Sequence, residues 1–439
     1  MDMEKLYGLF LKAGSVATDS RKIRGGEMFF ALKGENFDGN VYAMKALESG
    51  ASCAVVDEGS EYAGANPRIV AVPDTLEALQ RLAAWHREHL APGGKRLPVI
   101  GLTGTNGKTT TKNLLRAVLA RKYRVGATEG NFNNDVGVPL TVLGFGPDTE
   151  IAVVEMGANH PDDIARLVKV SEPDFGLITN VGKAHLQGFG SFEGVKAAKG
   201  QLYDWIYAHG GTAFVNSGDA DLSGMAAARQ GMKTVAYGMA ECGAVLEPSD
   251  AEHPYLRLRI GDKVLSTNLV GAYNAANALA AVAVGKYFGV PEEDAFAAIS
   301  EFVPDNNRSQ LMRTGRNVLI VDAYNANPSS MAAALENFGS MEGARKAVLL
   351  GDMRELGADS RAEHVRVMER VKRMKPEVVC LVGEEFRLAA QEAGLPEGAR
   401  LFADSASLAE ALKASPLSGC LVLVKGSRGI QMEKALPAL

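Results

Sequence analysis

Three α/β domains in series are predicted by the length of the chain and by a repeated alternation of short buried-strand runs with helical stretches, one of which opens on a glycine-rich turn. With 439 residues and a guide of about 150 residues per domain, about three units are expected, each able to bury its own core. Apolar residues at 46% and charged residues at 23% are ordinary globular usage, and 48 glycines suit many turns between strands and helices. Fibrous and disordered classes are excluded on those numbers.

From residue 18 to about 73, apolar runs at 27–32, 53–56 and 68–72 alternate with polar turns and one helical stretch at 42–49, a small α/β unit. A helical pattern at 75–90 closes in APGGKRLP, whose Pro and Gly set a boundary near Leu97. The apolar run 97–102 then enters the glycine-rich turn, and further buried strands are expected at 151–155, 175–180 and 212–216. Such runs separated by helices predict a doubly wound parallel sheet covered on both faces. Helices at 274–288 and 292–301 precede a new strand at 316–323, with a second boundary near Arg313. Strands at 345–351, 377–382 and 421–425, with helices at 360–373 and 405–414, give a Rossmann-like third unit. The expected domains are 1–97, 98–313 and 314–439.

The net charge of −5 is spread along the chain, with no basic stripe for nucleic acid or an anionic membrane, so anionic ligands must be held locally. Cys53, Cys242, Cys380 and Cys420 are far apart and form no CxxC pair, which argues against a disulfide framework or a cysteine metal site and fits a reducing compartment. The start of the chain, MDMEKLYGLFLKAG, carries acids and no long apolar stretch, and no run reaches the roughly 20 apolar residues needed to span a bilayer. A cytoplasmic protein is expected, without membrane insertion.

The segment VIGLTGTNGKTTTKNLL carries the strongest chemical signal. It places a buried strand before a glycine turn whose N–H groups can face phosphate, then Lys108 toward β/γ-phosphates and Thr109 toward Mg²⁺, with Thr105, Asn106, Gly107 and Thr110 completing the loop. The spacing departs from the strict Walker form, because the position six before Lys108 is Leu102, with glycines at Gly101 and Gly104. Glu155 ends the run IAVVE, at the sheet edge where a Mg²⁺-binding acid sits in nucleotide-binding domains. Taken alone, His185 reads as a metal ligand or a hydrogen-bonded surface residue, and Lys199 as an exposed helix lysine. Asn274 and Asn277, one helical turn apart, read either as a polar cap or as two groups facing one site.

Together, TGTNGKTTTK, EGNFNNDVGVPL, VVEMGANHPDDI, ITNVGKAHLQGFGS, DAYNANPSSM, LGDMRELG and VKGSRG resemble the Mur ligases of peptidoglycan synthesis, from Thr18 through Arg428. GTNGKTT is shared with folylpolyglutamate synthetase relatives. EGNFNNDVGVPL, EMGANHP and YNANPSSM narrow the resemblance to the ligases that add D-alanyl-D-alanine to UDP-N-acetylmuramoyl-tripeptide. The resemblance implies an ATP- and Mg²⁺-dependent enzyme that forms an acyl phosphate on the tripeptide carboxylate, which the dipeptide amine then attacks; a monomer is expected. It implies Thr109 and Glu155 as ligands of one Mg²⁺, His185 as a ligand of a second, and Lys199 at the position of a carbamylated lysine. The family's usual Lys-Gly-Glu is here Lys199-Gly200-Gln201.

The same resemblance implies Asn274, Asn277, Asp322, Tyr324 and Asn325 around adenine and ribose, and Arg308 on the ATP phosphates. It implies Ser20, Lys33, Asp38 and Gly39 as the UDP-binding unit, where Asn40 stands in place of the family's usual His, and Asn131, Asn133 and Asn134 as muramoyl-peptide contacts. In the third domain Asp352, Glu355, His364 and Lys425 match family motifs, and Ser427 and Arg428 are implied at the dipeptide carboxylate, a role that suits a bidentate guanidinium. Two rivals share parts of this pattern: a sister ligase adding a single amino acid, and a nucleotide switch without ligation.

Overall fold

The computed structural model describes residues 2–248, 254–304, 308–341 and 345–439. Three parallel or largely parallel sheets follow one another along the chain, as the alternation of apolar runs predicts. In the first, Val16–Ala17, Met28–Phe30, Cys53–Asp57 and Ile69–Val72 lie side by side, all parallel. In the second the order is Lys233–Tyr237, Thr212–Asn216, Phe175–Ile178, Val99–Thr103, Ile151–Glu155 and Val125–Ala127, again all parallel. The strand before the glycine loop is therefore central, buried along its whole length, and flanked by the strands that end at Ile178 and Glu155.

The helix Thr75–His89 joins the first two sheets. Asp74 caps it by accepting from Glu77 N at 2.7 Å, and it packs on Met3–Ala13 as well as on Gly137–Leu143 and Asp163–Ser171 of the second unit. A single apolar cluster runs from Leu6 and Met28 through Leu79 and Leu82 to Val154 and Ile164. Arg87, fully buried on this helix, ties the units with polar contacts: it donates to the carbonyls of Ser171 and Glu172, each at 3.2 Å, and pairs with Asp174 at 2.8 Å.

In the third sheet Gln310–Arg313, Val318–Asp322, Cys420–Lys425, Arg345–Gly351, Val378–Val382 and Arg400–Phe402 are adjacent in that order, with only the first strand antiparallel. This sheet begins ahead of the boundary expected near Arg313, because residues 314–317 make a tight reversal in which Thr314 Oγ1 accepts from Asn317 N at 2.9 Å. A second departure is a three-stranded antiparallel sheet, Ala244–Leu246, Tyr255–Ile260 and Lys263–Val270, turned at Gly261 with φ 57°. Its signal in the sequence is the apolar–polar alternation YLRLRI followed by Gly-Asp.

Candidate active site

The glycine loop leaves Val99–Thr103 and enters the helix Lys108–Leu119. Two of its glycines are required by geometry. Gly104 has φ 149°, and a Cβ there would stand 1.9 Å from Thr179 Oγ1; Gly107 has φ 78°, with a Cβ 2.6 Å from Asn277 Oδ1. Residues after the neighbouring strand clamp the loop. Asn180 O accepts from Thr105 N at 3.0 Å, Asn180 Oδ1 from Asn106 N at 3.0 Å, and Thr179 Oγ1 donates to Asn106 O at 2.6 Å. Thr105 Oγ1 accepts from Gly182 N at 2.9 Å. Lys108 folds over the loop, its ammonium donating to Gly104 O at 2.8 Å and Thr105 O at 3.2 Å. Burial holds its pKa below the ordinary lysine range against the pull of Glu155, and Arg308 adds to the lowering.

Glu155 is buried at the end of its strand and accepts from Thr109 Oγ1 at 3.0 Å and from Asn133 Nδ2 at 2.8 Å. The loop threonine, the strand-end acid and one of the three expected asparagines thus meet. Asn134 Oδ1 accepts from Gly137 N at 2.8 Å, where the helix Gly137–Leu143 begins, while Asn131 stands exposed on the cavity wall. Lys112, one turn after Lys108, is buried behind this group and donates to Thr128 O at 2.6 Å; Thr128 Oγ1 in turn accepts from Glu155 N at 2.9 Å. Asn277 accepts from Thr111 Oγ1 at 3.1 Å and donates to Asn274 Oδ1 at 2.9 Å, so these two asparagines do face one site, beneath the loop.

His185, in the left-handed region at φ 50°, is held by Glu355 of the third domain. Burial lowers its pKa, opposed by Glu355 and reinforced by Lys108 and Lys199. Lys199 is 2% exposed, where the sequence alone allowed an exposed helix lysine. Burial first, and Lys108 second, push its pKa well below the ordinary lysine value, with only Asp163 opposing. Two residues on, Gln201 uses both ends of its amide: Oε1 accepts from Ala165 N at 3.0 Å and Nε2 donates to Asp162 Oδ1 at 2.8 Å. A glutamate would satisfy the first contact and oppose the second. Among the described residues no group of three or more His, Cys, Asp or Glu side chains is placed to hold a metal.

The third domain supplies the opposite wall. Lys425 is buried and ion-paired with Asp322, and also donates to Asn325 O at 3.3 Å. The Ser427 hydroxyl is occupied by backbone, donating to Ala326 O at 3.1 Å and accepting from Arg354 N at 2.9 Å, so it has no proton free for a ligand. Asp352 caps the helix Glu384–Ala393 by accepting from Glu385 N and Phe386 N, each at 3.0 Å, and burial raises its pKa. His364 packs behind, its Nε2 accepting from Met353 N at 3.0 Å and its Nδ1–H donating to Ser360 O at 2.7 Å. Asp352 and His364 are therefore framework.

Between these walls lies a cavity of about 690 Å³ lined by residues of the central and third domains, among them Thr105–Lys108, Asn133, Glu155, His185, Asn277, Arg308, Tyr324 and Arg428. Four cations on it, Lys108, Arg308, Arg354 and Arg428, have no carboxylate partner among the described residues. Sequence reasoning missed Asn180, Asn327 and Arg354. The signal for Asn180 was a polar residue directly after a buried strand, beside the loop strand. Ser20, Lys33, Asp38 and Gly39 do not line this cavity. Lys33 and Asp38 face each other in a two-stranded ribbon, and Lys33 pairs with Asp57 at 3.0 Å. Gly39 is fixed by packing, since a Cβ would lie 2.2 Å from Leu32 O. Asn40 donates to both Asp38 and Asp57.

The sequence matches three domain families: "Mur ligase family, catalytic domain" over residues 13–87, "Mur ligase middle domain" over 102–285, and "Mur ligase, glutamate ligase domain" over 307–428. The UDP-N-acetylmuramoyl-tripeptide–D-alanyl-D-alanine ligase of Bacillus subtilis is 36% identical over 97% of this chain and 92% of its own length. That of Escherichia coli is 33% identical over 99% and 95%. The crystal structure of MurF from Acinetobacter baumannii superposes with a TM-score of 0.84 at 30% identity, covering 96% of this chain and 92% of that one. MurF from Thermotoga maritima, solved in complex with ADP, superposes with a TM-score of 0.83 at 26% identity, over 98% and 97%. With relatives above 30% identity across nearly its whole length, the chain belongs to the Mur ligase family.

Proposed function

We propose that this protein joins D-alanyl-D-alanine to UDP-N-acetylmuramoyl-tripeptide at the expense of ATP. The observation that carries the reading is the cavity in which Lys108, Arg308, Arg354 and Arg428 stand without carboxylate partners, beside a phosphate loop and facing a second domain. Unpaired cations around a concave site suit anionic ligands, and ATP phosphates with a substrate carboxylate meet that demand. In the first step a carboxylate oxygen of the tripeptide bonds to the γ-phosphorus and ADP leaves. In the second the dipeptide amine bonds to the acyl carbon, the amine loses a proton, and phosphate leaves with the C–O bonding pair. On this reading Lys108, whose ammonium donates to Gly104 O and Thr105 O, stabilises charge on the transferred group.

Thr109 and Glu155 form a buried pair of hard oxygen donors of the kind Mg²⁺ takes, and we assign them to one ion. Bound there, Mg²⁺ supplies charge neutralisation at the phosphate oxygens. For a second ion His185 offers its ring Nε2, since Nδ1 is taken by Glu355. Lys199 as an amine offers no oxygen, and burial pushes its pKa well below the ordinary lysine value, the direction that favours the uncharged amine needed for carbamylation by CO₂. Arg428, exposed on the third domain, is the candidate for the dipeptide carboxylate. Ser20, Lys33, Asp38 and Gly39 are assigned to the UDP group on the first domain, and the protein to the cytoplasm as a monomer.

The test is phosphate release from ATP and Mg²⁺ with UDP-N-acetylmuramoyl-tripeptide, with and without D-alanyl-D-alanine, and the mass of the product. Dipeptide-dependent release with a pentapeptide product is expected. Release that needs only a single amino acid would move the protein to a sister activity, and release without any amine would make it a nucleotide switch.

A further inference from the structure

Tyr324 follows the strand Val318–Asp322 and stands half-buried on the cavity wall. The guanidinium of Arg308 lies over its ring at 3.7 Å, and that of Arg428 lies over the same ring at 5.5 Å. The two arginines come from segments more than a hundred residues apart, one at the entrance to the third domain and one after its strand Cys420–Lys425. Neither has an ion pair among the described residues, and Arg308 Nε is buried without a hydrogen-bond partner. The tyrosine hydroxyl likewise makes no hydrogen bond there. What these two cations share is one aromatic ring, which attracts a guanidinium while leaving its N–H groups free to donate to a ligand.

We propose that Tyr324 is a positioning residue shared by two ligand sites: it orients Arg308 toward the nucleotide phosphates and Arg428 toward the carboxylate of the incoming dipeptide, rather than serving only as an adenine contact. The inference rests on the ligase reading above. One ring holding both guanidiniums makes the two sites respond together, because loss of the ring frees both arginines at once.

The test is steady-state kinetics of Tyr324→Phe and Tyr324→Leu with ATP and D-alanyl-D-alanine varied separately. Tyr324→Phe keeps the ring and is expected to leave both KM values within about twofold of the parent, whereas Tyr324→Leu is expected to raise both by about five- to tenfold, the scale of one lost cation–π contact. A rise confined to ATP in either variant overturns the proposal in favour of a simple adenine contact, and no rise in either KM overturns it outright. Should Tyr324→Leu fail to fold in a thermal melt, Tyr324→Gln gives the same readout from a polar side chain at this half-exposed position. If the parent protein itself shows no dipeptide-dependent turnover, the ligase reading fails, independently of how the variants behave.

Discussion

His185 and Glu355 meet across the junction of the central and third domains, imidazole to carboxylate, each on a backbone in the left-handed region at φ 50° and 63°. Around them the junction is polar: Lys183 reaches Glu363 at 3.0 Å, Asn327 reaches Asn106 at 2.8 Å, and Gln187 N donates to Glu355 O at 3.3 Å. Partly exposed contacts of this kind are each worth about 1 kcal/mol or less. Glu355→Ala is therefore expected to loosen the docking of the third domain. Small-angle scattering of the free variant should give a larger radius of gyration than the parent, with the two converging once ATP analogue and UDP-N-acetylmuramoyl-tripeptide are added. Superimposable free profiles would show that this contact does not hold the domains.

Lys199 gives a prediction on stability. Its folded pKa lies well below the ordinary amine value, so the native state binds fewer protons than the unfolded chain, and stability drains away as pH falls from the amine range toward the depressed pKa. Replacing it with Met removes that loss. At pH 7, in buffer stripped of CO₂, Lys199→Met should melt a few degrees higher than the parent while losing ligation, and the gap should close toward pH 10. A lower melting temperature at pH 7 would contradict the assignment of an unpaired buried amine.

Lys112 connects the phosphate-loop helix to the loop that carries Asn131, Asn133 and Asn134, through Thr128 and, by charge, Glu155. Lys112→Met should raise the Mg²⁺ requirement and the KM for UDP-N-acetylmuramoyl-tripeptide by roughly tenfold, the scale of one buried charged hydrogen bond, and leave the KM for D-alanyl-D-alanine unchanged. A uniform rise in all three would reduce Lys112 to a general structural role.

Gln201→Glu tests the amide bridge between Asp162 and Ala165. The new carboxylate keeps the contact to Ala165 N and faces Asp162, which raises the folded pKa of the pair. The resulting penalty, ~1 kcal/mol, is present above the carboxylate range and disappears below pH ~4. Melting curves at pH 7.5 and pH 4 separate this from a loss that is constant with pH.

Where one residue type has one physical use, the sequence was readable. The strand, glycine turn and Lys108–Thr109 gave the phosphate loop because backbone geometry at Gly104 and Gly107 admits no side chain. Glu155 was a weaker signal, since a single acid ending a strand says little alone; its contacts to Thr109 and Asn133 needed the structure. Burial of Lys199 was not legible, since KAAKGQLYDW carries the same lysine whether its helix face meets water or, as here, the ring of Phe189 at 5.9 Å. Nor could Ser427 be told from a ligand-binding hydroxyl until Ala326 and Arg354 were seen to occupy it. The antiparallel sheet at 244–270 went unread because its alternation is short and lies between stronger helical signals.

The helix Thr75–His89, with Arg87 locked into the central domain, acts as a fixed ruler. One apolar core spans the first two domains and includes Leu32, directly before the Lys33–Asp38 ribbon, so the ribbon and the phosphate loop are joined through one packed body. A molecule anchored at one end of that span reaches the phosphate loop only if it has the right length. On the proposed reading, with the UDP group assigned to the ribbon, that body acts as a gauge of stem length, and a nucleotide-linked peptide one residue short is expected to give little phosphate release.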